Sequence, residues 1–100
     1  MDYKCAMRGE RFVVALSGVM TFDDHDKFRG VVREITQAEA DLIELSLVDL
    51  KMIDSAGIGM FLLANDRSKK AGKSLVISGA NGHVSKVIEL SSIDKLIPIE

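Results

Sequence analysis

Residues 42–50, Leu-Ile-Glu-Leu-Ser-Leu-Val-Asp-Leu, constrain the fold more than any other stretch. Apart from Glu44, Ser46 and Asp49 the run is apolar. A strand with apolar residues at both parities is covered on much of both faces, so it belongs in the middle of a sheet. The residues around it alternate between strand and helix signatures, which points to an α/β domain.

Tyr3, Cys5 and Met7 alternate with Lys4, Ala6 and Arg8, and Gly9-Glu10 supplies a turn. Phe12, Val14 and Leu16 then alternate with Val13, Ala15 and Ser17, so the two runs form an antiparallel hairpin whose second strand ends or bends at Gly18. Thr21, Asp23 and Asp24 are helix-start residues. Phe28, Val31, Val32, Ile35 and Ala38 follow at helical spacing, opposite Lys27, Arg29, Arg33, Glu34 and Gln37. After the central strand a helix runs from Ser55 to about Ala71, with Gly72 as its stop. Leu75 to Ile77 is a short strand. Val84, Val87, Ile88 and Ser91 mark a third helix capped by Asn81. Ile97-Pro98-Ile99 closes the chain as an edge strand, because proline donates no ladder bond. The predicted order is β-β-α-β-α-β-α-β, and helical crossovers imply parallel neighbours beyond the hairpin.

The junction Met52-Ile53-Asp54-Ser55-Ala56-Gly57-Ile58-Gly59-Met60 is the candidate site. A strand runs into Asp-Ser, and a helix with two early glycines follows. A serine there stands at a helix start facing solvent, beside N–H groups that lack partners and carry the positive end of the helix dipole. A phosphate on Ser55 is tolerated locally yet adds roughly −1.5 to −2 charges to the surface. Gly57 allows close backbone approach or a tight turn into the helix, and the helical cost of Gly59 points to tight packing on the sheet or a surface left bare for a partner. With Ile58, Phe61, Leu62 and Asn65 assigned to the buried face, Met60 and Leu63 are expected to be partly exposed and to join a protein-binding surface.

Several function classes are disfavoured. One hundred residues make one domain, spanning 1–100. The net charge of −2 and scattered basic residues argue against nucleic acid and anionic membranes, and Lys69-Lys70 complements a helix C-terminus. No apolar run approaches the roughly 18 residues of a membrane span, and no signal peptide is visible. The single cysteine, Cys5, reads as a strand residue and fits a cytoplasmic address. His25 and His83 stand apart among helix-start residues, so no catalytic triad is formed. No metal-ligand spacing occurs. Gly57-Ile58-Gly59 lacks the third glycine of a dinucleotide fingerprint, since position 62 is leucine. No cofactor and no enzyme activity are expected.

Asp49-Leu50-Lys51-Met52-Ile53-Asp54-Ser55-Ala56-Gly57-Ile58-Gly59 resembles the Asp-Ser segment of the STAS family, named for sulfate transporters and anti-sigma factor antagonists. Val84 to Ile99 is similar to that family's third helix and closing strand, and Val14 to Gly18 is a weaker match. The resemblance implies a single STAS-like domain, a mixed, mostly parallel sheet of about five strands with helices on one face. It implies an anti-sigma factor antagonist with Ser55 as phosphoacceptor. An anti-sigma factor with an ATP-binding serine-kinase fold would phosphorylate it, and a PP2C-type phosphatase would reverse the reaction. The unphosphorylated form would sequester the anti-sigma factor through Thr21, Asp23, Asp54, Ser55, Ala56, Gly57, Ile58, Gly59, Met60 and Leu63. Gly18-Val19-Met20-Thr21 departs from the family's common Gly-Glu-Leu-Asp. The alternatives are a scaffold subunit of a signalling assembly, an accessory subunit of a transporter ATPase, and a small-ligand or nucleotide-binding domain.

Overall fold

Alternation in the first twenty residues builds a hairpin: strand β1 (Asp2–Arg8) turns through Gly9-Glu10 into β2 (Arg11–Met20), pairing antiparallel with Tyr3 opposite Leu16 and Cys5 opposite Val14. A computed structural model describes all residues, Met1–Glu100. A single 3-10 turn, Phe22–Asp24, leads into helix α1 (His25–Gln37). Then come β3 (Leu42–Ile53), α2 (Ser55–Lys70), β4 (Ser74–Ser78) and α3 (Gly82–Ser91), with a last 3-10 turn at Ile93–Lys95. The sheet order is β1-β2-β3-β4, with β2, β3 and β4 parallel. The predicted last strand shrinks to one bridge between Ile77 and Ile99, where the Ile77 N–H donates to the Pro98 carbonyl at 2.9 Å.

The side-chain period of two sorts each strand onto two faces. Val14, Leu45 and Ile77 lie side by side across three strands and are fully buried. They pack beneath Phe28, Val31 and Ile35 of α1, Phe61 and Ala64 of α2, and Val84 and Ile88 of α3, within one core of 21 residues. Each such side chain contributes about 1.5–3 kcal/mol by leaving water. All three helices cover this one face, as the resemblance implied.

The reverse face corrects the expectation that β3 is covered on both sides. Leu42 and Val48 are exposed there, and Ala15 and Ser46 are only half-buried. Glu44 is the exception, buried on the open face beneath two arginines. Arg8 binds both its oxygens, at 2.7 and 2.8 Å, while Arg11 reaches it at 3.1 Å and the Ser78 hydroxyl at 2.7 Å. Desolvation pushes the Glu44 pKa up, but the bonds from Ser78, Arg8 and Arg11 outweigh it and hold the carboxyl below its usual range.

Helix α2 also departs from its predicted orientation. Its buried residues are Gly57, Met60, Phe61, Ala64, Asn65 and Ser68. Met60 is 1% exposed, not partly exposed, while Leu62 faces outward. Small residues decide the seam: Gly57, Ala64 and Ser68 let the helix lie close to the sheet, and the Ser68 hydroxyl is satisfied by the Ala64 carbonyl at 2.7 Å. The helix ends in a Schellman arrangement, with Lys73 N–H donating to Ser68 O at 2.8 Å and Gly72 N–H to Lys69 O at 3.0 Å.

Candidate functional site

The site forms where β2 and β3 both finish and α2 begins. Asp54 stands between strand and helix in an extended conformation and caps α2: its Oδ1 accepts the Gly57 N–H at 3.1 Å. Its Oδ2 accepts the Phe22 N–H at 3.3 Å, and its own N–H donates to the Met20 carbonyl at 3.2 Å. One carboxylate thus fastens the loop after β2 to the start of α2. Asp54 is a positioning group: its bonds all run within the domain.

Ser55 follows as the first residue of α2 and is exposed. No hydrogen bond occupies its hydroxyl. The capping bond takes up the Gly57 N–H, whereas those of Ser55 and Ala56 precede the intrahelical ladder. They are the natural donors for negative charge placed on Ser55.

Thr21 is half-buried and Asp23 exposed, on the loop that Asp54 fastens. The Thr21 N–H donates to Asp24 Oδ2 at 2.9 Å. Burial works to raise the Asp24 pKa, but that bond, the N-terminal ammonium and Lys27 together hold it below the ordinary value. Asp24, and not Thr21 or Asp23, is therefore the acid that organises this turn. Among the other predicted residues, Gly59 is exposed and Ala56 and Ile58 are half-buried. Gly57 is buried: a Cβ there would stand 2.3 Å from Ile53 Cγ1, so its role is close approach to the sheet. Leu63 is exposed but faces α1, alongside Val32 and Arg67.

The sequence reading missed the wall opposite Ser55. Helix α3 lies beside the start of α2 and leaves a shallow groove of about 460 Å³ lined by Ile53, Asp54, Ser55, Ile58, His83, Val87, Leu90 and Ser91. Leu90 is 84% exposed. His83 Nε2 lies 3.3 Å from the Ile53 carbonyl oxygen, tying the start of α3 to the end of β3. On the other side of Asp54, Val19 and Met52 are paired neighbours on the open sheet face, both about half exposed, and Phe22 is 68% exposed. Ser55 therefore borders an apolar groove, and the residue before it ties down the loop that carries the exposed Phe22. The one signal for the α3 wall was Leu90, an apolar residue outside the buried set of its helix.

No three His, Cys, Asp or Glu side chains cluster to hold a metal. Burial, and then the charge of Glu34, push the Cys5 thiol above its ordinary pKa, the opposite of an activated cysteine. No helix is long and apolar enough to cross a membrane.

Comparisons with known proteins bear on the fold and the family. The chain is 28% identical over 88 residues to the anti-sigma F factor antagonist of Paenibacillus polymyxa, covering 87% of this chain and 75% of that protein. Among solved structures it resembles an anti-sigma factor antagonist from Mycobacterium paratuberculosis, with a TM-score of 0.86 at 13% identity, covering 98% of this chain and 83% of that one. It also resembles the Bacillus cell fate determinant SpoIIAA in its phosphorylated form, with a TM-score of 0.69 at 18% identity, covering 99% and 91%. Residues 4–98 match the family model described as "Mlab, STAS domain", and the chain belongs to the STAS domain family.

Proposed function

We propose that this domain is an anti-sigma factor antagonist controlled by phosphorylation of Ser55. The observation that carries the reading is the exposed, unengaged Ser55 at the first position of α2, on the rim of the apolar groove against α3. The relative named as an anti-sigma F factor antagonist supports it, as does the likeness to a phosphorylated SpoIIAA. In this reading the domain acts by binding, performs no catalysis, and works in the cytoplasm. Its partner is an anti-sigma factor with a serine-kinase, ATP-binding fold, and a PP2C-type phosphatase restores the binding form.

The switch follows from solvation. Unmodified Ser55 is small and neutral, so a partner can lie across it, over Ile58, Val87 and Leu90 on one side and Phe22 on the other. Phosphate on the Ser55 oxygen is tolerated by the free domain, because the helix start favours it by about 0.3–1 kcal/mol. Asp54 repels it, but solvent screens that repulsion. Covering it is another matter: an unpaired desolvated charge costs roughly 3–5 kcal/mol, or about 10²–10³ and more in dissociation constant.

The test is calorimetric titration of the anti-sigma partner with three forms: unmodified, phosphorylated on Ser55, and Ser55→Asp. The phosphorylated form should bind at least about 10²-fold more weakly, the Asp variant should lose less, and thermal melts should coincide. Equal affinities would sink the mechanism, and a melt that collapses on phosphorylation would move the switch from interface to fold. Ser55→Ala should bind as the unmodified protein does and take up no phosphate from the kinase.

A further inference from the structure

The groove between α1 and α2 carries a chemistry unlike that of the Ser55 surface. Val32 and Leu63 floor it, and Arg29, Arg33, Thr36 and Arg67 wall a space of about 370 Å³. Leu63 lies eight residues into α2 from Ser55, about 12 Å along the axis. Arg33 and Arg67 make no ion pair. Arg29 meets only Asp26, at 3.4 Å, with both side chains largely in solvent. Three guanidinium groups therefore share one groove in a chain whose formal net charge is −2.

This arrangement is unfavourable in the free protein. Arg29 and Arg33 stand four residues apart on one helix, where like charges repel, and Arg67 adds a third charge from the facing helix. Carboxylates relieve it, since each guanidinium can hold one through two parallel N–H bonds. The floor adds a second requirement, because Leu63 is 36% exposed and has no cover. We propose that this groove docks an acidic, leucine-bearing segment of a partner protein, with apolar side chains on Val32 and Leu63 and flanking Asp or Glu on Arg29, Arg33 and Arg67. A nucleic-acid backbone fits less well: it would leave the floor uncovered and meet the net negative charge of the domain. The inference stands apart from the role of Ser55, so either can fail without the other.

The experiment uses the full chain and three fluorescent probes. They are a short helical peptide with leucines at helical spacing flanked by glutamates, the same peptide with glutamines, and a single-stranded oligonucleotide. The glutamate peptide should bind, shift the amide resonances of Val32, Thr36 and Leu63, and weaken as salt rises past the concentration at which screening reaches contact distance. The double variant Arg33→Glu, Arg67→Glu, checked for an unchanged melt, should bind it at least about tenfold more weakly and should bind a lysine version of the peptide instead. No binding by the unmodified protein overturns the proposal. So does affinity within about twofold after the charge reversal, equal binding of the glutamine peptide, or equal binding of the oligonucleotide.

Discussion

Strand β3 holds a carboxylate near each end, and the two do opposite things. Glu44, near its start, is buried, and both its oxygens are taken by Arg8, Arg11 and Ser78. Asp54, just past its finish, is exposed and spends its oxygens on two backbone N–H groups. Glu44 ties its own strand to the other three of the sheet. Asp54 fixes a helix start so that the neighbouring hydroxyl of Ser55 stays free. One end of the strand is chemically saturated and the other is left open, and the open end is where a switch can be placed.

The largest expected difference lies in stability. Glu44→Ala removes the buried acceptor that Arg8, Arg11 and Ser78 share and should destabilise by about 1–3 kcal/mol, whereas Ser55→Ala should stay within about 0.5 kcal/mol. Urea titration of both variants checks the contrast, and equal losses would break it. The same cluster sets an acid limb. A carboxyl whose folded pKa lies below its unfolded value stabilises above the unfolded pKa, and that stability is lost as pH falls through the folded one. Stability should therefore fall below about pH 4, and Glu44→Gln should flatten part of that fall. Glu100, lowered mainly by its bond from Arg11, and Asp24, lowered against the pull of burial chiefly by its bond from the Thr21 N–H, keep a share of it.

Gly57→Ala should come next, at about 1–3 kcal/mol, because its Cβ would press into Ile53, which is buried and cannot yield. A melt indistinguishable from that of the unmodified protein would show that α2 can lift from the sheet at no cost.

How much of this was legible beforehand depended on how local the signal was. The hairpin, α1 and its buried Phe28, Val31, Val32 and Ile35 were readable because each rests on spacing within one element. So was Ser55 at a helix start, because strand, Asp-Ser and glycines are contiguous. The face of α2 was not readable. Apolar residues surround that helix, so hydrophobicity has little direction, and small residues placed Met60 inside and Leu62 outside. Glu44 looked like a polar interruption of a strand, since its partners lie 33 to 36 residues away. The α3 wall of the Ser55 groove had no signal but Leu90, for the same reason: Val87 and Leu90 reach Ser55 only through the crossover that follows β4.

Asp54 itself offers a finer cut. Asp54→Ala should cost about 0.5–2 kcal/mol by losing the helix cap and should loosen the loop at Phe22. Asp54→Asn keeps an oxygen for the Gly57 N–H but presents an amide, not an acceptor, to the Phe22 N–H. It should therefore recover most of the stability while partner affinity stays low. Full recovery of affinity in the Asn variant would mean that the Phe22 loop plays no part in binding.

The smallest effect separates the two glycines of the site. Gly57 is filled against Ile53, but a Cβ at Gly59 would meet nothing within 4 Å. Gly59 is exposed inside a helix, where glycine is about 0.8–1 kcal/mol worse than alanine. Gly59→Ala should therefore stabilise the free domain by about 0.5–1 kcal/mol, raising the melting temperature by about 2–8 °C. The absent side chain meets no structural need in the free protein, and the proposed interface supplies one: a partner lying over the start of α2. Affinity for the anti-sigma partner should fall in the same variant that melts later. A protein that gains stability and loses nothing in binding would take Gly59 out of the interface and leave Ile58, Val87 and Leu90 as its apolar contacts on that side.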